Sequence, residues 1–113
     1  TTSDPGGFIN TYQGIYKIRL ALDKYVKPLK SRVLFFRLNQ TTLEVVVTEK
    51  RNTAQDSLWG LAWGVDSIQE TRNRLINEGI KVSPIKKGVK ENTLVATVKS
   101  NTHDVPTLLI EHL

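Results

Sequence analysis

The 113 residues predict an α+β fold laid out as two successive strand-rich halves. Three stretches carry that expectation. "RVLFFRLNQTTLEVVVTEK", Arg32 to Lys50, holds two β-branched and aromatic runs around "NQ", the pattern of a tight hairpin. "LWGLAWGVDSIQETRNRLINEG", Leu58 to Gly79, reads as a strand running straight into a capped helix. Further strand signals follow at about Lys81 to Ile85, Thr93 to Lys99 and Thr107 to Ile110, separated by "KKGVKEN" and "SNTHDVP".

Taken in order, "TTSDPGG", residues 1–7, has the composition of a flexible tail. Phe8, Ile9, Tyr12, Ile15, Tyr16 and Leu20 recur at spacings of one, three and four, which predicts a short amphipathic helix weakened by Gly14. A strand near Arg19 to Asp23 can follow it. A two-residue loop at Asn39 and Gln40 would set Leu38 opposite Thr41, Arg37 opposite Thr42 and Phe35 opposite Glu44. One hairpin face then collects Val33, Phe35, Arg37, Thr42, Glu44 and Val46. The other collects Leu34, Phe36, Leu38, Leu43, Val45 and Val47, and is the expected core face.

Residues 51–57, "RNTAQDS", make a polar linker between a first module at 8–50 and a second at 58–113, the whole being one domain. In the strand Leu58 to Val65 the small residues Gly60, Ala62 and Gly64 alternate with Trp59, Leu61, Trp63 and Val65. One face is bare, and the tryptophans belong to the packed side as core or interface anchors. Ser67 and Glu70 have capping-box spacing, Ile68, Leu75 and Ile76 form the helix's apolar stripe, and Gly79 can close it.

Composition sets the outer bounds. With 39% hydrophobic and 24% charged residues the chain has the balance of a globular protein. It has no cysteine, so disulfides and thiolate metal sites are excluded and a cytoplasmic location is expected. No apolar run approaches the roughly 20 residues that span a bilayer, so no membrane is expected as a partner. The net charge of +5 favours anionic partners in general, but the basic residues are interspersed with acidic ones. His103 and His112 lack zinc-site spacing and read as surface residues, and no nucleophile elbow or phosphate loop is present.

"RVLFFRLNQTTLEVVV", "LWGLAWGVDSIQETRNRLINEGIKVSP" and "NTLVATVKSNTHDVPTLLIE", in this order and spacing, resemble the vicinal oxygen chelate superfamily, which includes glyoxalase I, bleomycin-resistance proteins and extradiol dioxygenases. The resemblance runs from about Ile18 to Ile110. It implies paired βαβββ modules that form an open curled sheet cup with helices outside, the first module here lacking its opening strand. Metal-using members place ligands on the first and last strands of each module. Carried over, these positions give Glu44, then Gly60 where His or Gln would be expected, then Leu109, or Glu111 if the register shifts by two residues. One retained donor does not hold a divalent ion. Glu44 also has a structural role open to it, as diagonal partner of Arg37.

The expectation is therefore a glyoxalase-like protein that binds a small organic molecule without a metal cofactor, with any catalysis left open by the residues. The pocket residues are Phe35, Arg37, Glu44, Val46, Gly60, Ala62, Gly64 and Leu109. The alternative is a metal-dependent lyase or dioxygenase that uses one divalent ion. Nucleic-acid binding ranks third, because basic and aromatic residues do not interleave on one strand. A missing opening strand would leave a sheet edge that a second copy could cover, so a homodimer is expected.

Overall fold

The computed structural model describes residues 1–49 and 55–113, which divide into two compact units, Thr1–Leu58 and Trp59–Leu113. The expected linker at 51–57 falls, over 51–54, outside the described residues. Each unit is a helix beside an open sheet, so the fold class is α+β. Among the described residues no helix is long and apolar enough to cross a membrane.

In the first unit a short helix, α1 (Pro5–Ile9), widens into a π-helical turn at Asn10–Ile15 and leads to strands β1 (Arg19–Val26), β2 (Ser31–Leu38) and β3 (Thr41–Val46). These form an antiparallel sheet in the order β1-β2-β3. The helix starts earlier and ends earlier than the apolar spacing predicts. Asp4 accepts from the Gly7 N–H at 3.0 Å and Pro5 occupies the first turn, so "SDPG" is a helix start that reads as tail composition. Phe8, Ile9 and Tyr12 face the sheet, whereas Ile15 and Tyr16 are exposed and Leu20 reaches the core from β1.

Residues 1–7 are not a loose tail. Thr2 is 2% exposed and forms a parallel bridge to Val47, with its N–H donating to Val46 O at 3.0 Å and its carbonyl accepting from the Thr48 N–H at 2.8 Å. That single residue occupies the place of an opening strand beside β3. The expected absence of an opening strand is therefore not confirmed, since this position is paired.

The hairpin pairs with the predicted register: Leu38 opposite Thr41, Arg37 opposite Thr42, Phe35 opposite Glu44. Asn39 takes φ 53°, a left-handed conformation that Asn tolerates in tight turns. Leu34, Phe36, Leu43, Val45 and Val47 face the helix as predicted, with Phe36 fully buried. Leu38, at the turn, is exposed instead. Phe8 stacks on Tyr12 with ring centroids 4.1 Å apart, and Phe36 lies 5.4 Å from Phe8, so three aromatic rings form the centre of this core. Near the β1–β2 turn Arg32 grips Asp23 through two bonds of 2.8 and 2.7 Å.

The second unit runs β4 (Leu61–Gly64), α2 (Ile68–Asn77), β5 (Lys86–Lys87), β6 (Thr93–Val98) and β7 (Thr107–His112), with strand order β4-β7-β6-β5. β4 pairs parallel with β7, as Thr2 does with Val47 at the end of β3. Each unit therefore has the same topology, an opening segment lying parallel to the last strand. Strand β4 is shorter than the predicted Leu58 to Val65, its pairing with β7 starting at Leu61. Ser67 accepts from the Glu70 N–H at 3.3 Å, as predicted. The Ile68 N–H is satisfied from the far end of the unit, by the Glu111 carboxylate at 2.7 Å. At the other end Gly79 has φ 82°, with Gly79 N–H donating to Ile76 O and Ile80 N–H to Leu75 O, a Schellman closure. Ile68, Ala96 and Leu109 form the core, flanked by Leu75, Leu94 and Val98, while Ile76 is exposed.

Two stability predictions follow from these contacts. Phe36→Ala should lower unfolding free energy by about 3–5 kcal/mol in a urea titration, and Leu38→Ala by no more than about 0.5 kcal/mol. The Arg32 hydrogen bonds hold the Asp23 carboxyl below its ordinary value of 3.8, outweighing burial, which raises it. A group with a lowered folded-state value stabilises above its unfolded value and loses that contribution as pH falls through the folded one. The stability gap between wild type and Asp23→Asn should therefore be present at pH 6 and close progressively below pH about 3.8, as read from urea midpoints across that range.

Candidate functional site

Each sheet has one face under its helix and one face turned away from it. In the first unit the cross-strand pairs fix the second face in three rows. Arg19, Arg37 and Thr42 form the first row; Leu22, Phe35 and Glu44 the next; Lys24, Val33 and Val46 the third. Opposed Cα atoms within a row are about 4.5–5.5 Å apart, and rows on one face are spaced by about 7 Å along the strands. Burial is graded along β2: Val33 is 1% exposed, Phe35 half-buried and Arg37 exposed. Four of the predicted site residues, Phe35, Arg37, Glu44 and Val46, therefore share one continuous surface that slopes from apolar to charged.

The predicted ion pair between Arg37 and Glu44 is not formed. Arg37 donates through Nη1 to Thr42 Oγ1 at 2.8 Å, directly across the strand pair. A direct neighbour is closer than a diagonal one, and a bond to it holds the guanidinium over its own row. Glu44 has no hydrogen-bond or ion-pair partner among the described residues; their single salt bridge joins Arg32 to Asp23. An exposed carboxylate, a half-buried ring and a fixed guanidinium thus lie together.

Two residues on this face, Arg19 and Leu22, escape a reading by strand parity. They are three residues apart, which in a regular strand would set them on opposite faces. The register shifts between Leu20 and Leu22, a bulge at Ala21, and this turns both onto the same side. Nothing in the sequence at Ala21 marks the irregularity.

In the second unit the site prediction needs three corrections. Leu109 is 5% exposed and lies in the core against Ile68 and Ala96, so it faces the helix and not the open side. Its neighbours Leu108 and Ile110 are the residues opposite Ala62 and Gly64. Glu111 lies on the helix side too, its carboxylate engaged at the start of α2. Gly60 is small because of Pro106: a Cβ there would come within 2.6 Å of the Pro106 carbonyl oxygen, so the backbone itself fills the space read as pocket. Gly64 differs, having nothing within 4 Å of a Cβ. Trp59 and Trp63 are 73% and 57% exposed, so neither anchors a core within its unit, although Trp63 shares Leu109's side of the sheet.

The metal positions implied by the superfamily resemblance do not supply a ligand set. At the opening position of the first unit stands Thr2, whose hydroxyl accepts from the Asp4 N–H at 3.1 Å. β3 supplies Glu44. Gly60 offers no donor, and the open-side residues at the end of β7 are Leu108, Ile110 and His112. Among the described residues no three His, Cys, Asp or Glu side chains are grouped so as to hold an ion. A cleft of about 350 Å³ in the first unit lies elsewhere, between Thr2, Asp4, Phe8, Tyr12 and Asp56, and includes none of the predicted site residues.

No protein-family model matches the chain, and no curated protein matches it significantly. Solved structures do. Hypothetical protein BH1468 from Bacillus halodurans C-125 aligns with a TM-score of 0.79 at 15% identity, covering 98% of this chain and 88% of its own. Methylmalonyl-CoA epimerase from Mycobacterium tuberculosis gives 0.76 at 13%, covering 99% and 83%. A Streptomyces coelicolor methylmalonyl-CoA epimerase variant in complex with 2-nitronate-propionyl-CoA gives 0.71 at 12%, covering 94% and 85%. At these identities the likeness is one of fold: the chain has the two-sheet α+β architecture found in methylmalonyl-CoA epimerases, members of the vicinal oxygen chelate superfamily.

Proposed function

We propose that this is a glyoxalase-like member of the vicinal oxygen chelate superfamily that binds a small organic molecule without a metal ion. The observation that carries the reading is the Glu44 carboxylate, without a partner among the described residues, beside half-buried Phe35 on the face away from the helix. A side chain with free acceptors next to an apolar surface is the pairing that orients and desolvates a small ligand. Phe35 and Val46 supply contact area, worth about 25 cal/mol for each Å² removed from water, and Arg37 and Glu44 supply direction. Ala62 and Gly64 give the second unit a face with room on it. Two of the solved neighbours hold 2-nitronate-propionyl-CoA and methylmalonyl-CoA, which supports an organic ligand at that coarse level only.

Native mass spectrometry of untreated full-length chain tests this reading. We expect a retained organic adduct, at least ten-fold depleted in Glu44→Ala, with the urea midpoint of that variant unchanged because Glu44 is exposed and bonds no other described residue. One divalent ion per chain with no organic mass would overturn it in favour of a metal-dependent lyase or dioxygenase, in which Glu44→Ala should deplete the ion instead.

We also propose a homodimer. β4 is an edge strand, and it presents Leu61 and Trp63 to solvent with Trp59 beside them, an apolar edge of the kind that a second copy covers. Sedimentation should give twice the chain mass at micromolar concentration, and Trp63→Glu should return it to monomer. A monomer at millimolar concentration would exclude the dimer.

A further inference from the structure

We propose that Arg19 and Arg37 form an anion-binding row and that the ligand is a small carboxylate-bearing organic molecule with an apolar body, an inference that rests on the binding face assigned above.

The strand register places Arg19 directly opposite Arg37, both exposed. Like charges directly opposed across a strand pair destabilise it. The same two strands show the alternative on their other face, where Asp23 and Arg32 form a two-bond pair diagonally across them. No carboxylate bonds either Arg19 or Arg37 among the described residues. The bulge at Ala21 puts Arg19 on this face at all. A bulge that re-aims one arginine onto another costs stability in the free protein and is offset when an anion sits between them.

The geometry selects the rest of the ligand. Arg37 is held by its bond to Thr42, and its remaining N–H groups, with the five of Arg19, match the two oxygens of a carboxylate. About 7 Å along the strands lie Leu22 and Phe35, which suit an aromatic or branched body. Glu44 closes that second row. Its charge repels a second anionic group and accepts from a hydroxyl or amine, so the ligand carries its negative charge at one end only.

The test uses full-length protein and two probes of one shape, 3-phenylpropanoate and 3-phenylpropanamide, followed by NMR on the Arg19 and Arg37 side-chain N–H groups and the Leu22 and Phe35 backbone amides. The acid should bind at least ten-fold more tightly than the amide. Arg19→Gln should abolish that preference while leaving the urea midpoint of the free protein equal or higher, because a like-charge pair is relieved. Arg74→Gln, a matched loss of charge on an exposed helix position, should change neither. Equal binding of acid and amide at Leu22 and Phe35 would overturn the anion row and leave the binding face standing. An equal loss in Arg74→Gln and Arg19→Gln would also overturn it, reducing the preference to net charge. No perturbation of Leu22 or Phe35 by either probe would sink both the row and the face.

Discussion

Among the described residues each unit has a single α-helix, and one helix can cover only one side of a sheet. The rest of the molecule follows from that constraint. In the first unit the covered side holds Leu34, Phe36 and Val45 beneath Phe8 and Tyr12. In the second it holds Ala96 and Leu109 beneath Ile68 and Leu75. Side chains alternate along a strand, so every residue committed to the core leaves its neighbours on the uncovered side. The chemistry available for recognition is therefore the set of odd partners left over by packing: Arg37 beside Phe36, Glu44 beside Val45.

Where parity is regular, the sequence makes the assignment visible. The hairpin register follows from "NQ" between two alternating runs, and the ends of α2 follow from Ser67 and Gly79. Glu44 and Phe35 fall on the correct face for the same reason. Where parity breaks, the sequence is mute. The bulge at Ala21 sets Arg19 and Leu22 beside Phe35 without a glycine or proline to announce it. Leu109 was misplaced by one step of alternation, since the register of β7 against β4 depends on a parallel contact that spans the whole second unit.

Small residues proved ambiguous in an instructive way. Gly60 and Gly64 look alike in "GLAWG", both on the bare side of one strand. A Cβ at the first would strike the Pro106 carbonyl, and at the second would meet open space. One glycine admits a neighbouring backbone, whereas the other leaves a surface uncovered, and only the position of a loop more than forty residues later separates the two cases. The N-terminal residues mislead similarly: "TTSDPGG" has loop composition because a strand of one residue and a helix cap both use such residues.

The fastening of each unit by its own sequence ends has a kinetic meaning. Thr2 is bridged to Val47, β4 lies against β7, and Glu111 reaches back to the first turn of α2. These contacts close loops of more than forty residues, whose entropy must be lost before any bond is gained. The β2–β3 hairpin and α2 can form from near neighbours, whereas the long closures carry the larger entropic cost. Removing Glu111 to Leu113 would strip the bond from the start of a helix that begins at Ile68, so the end of β7 acts as a latch on the first turn of α2.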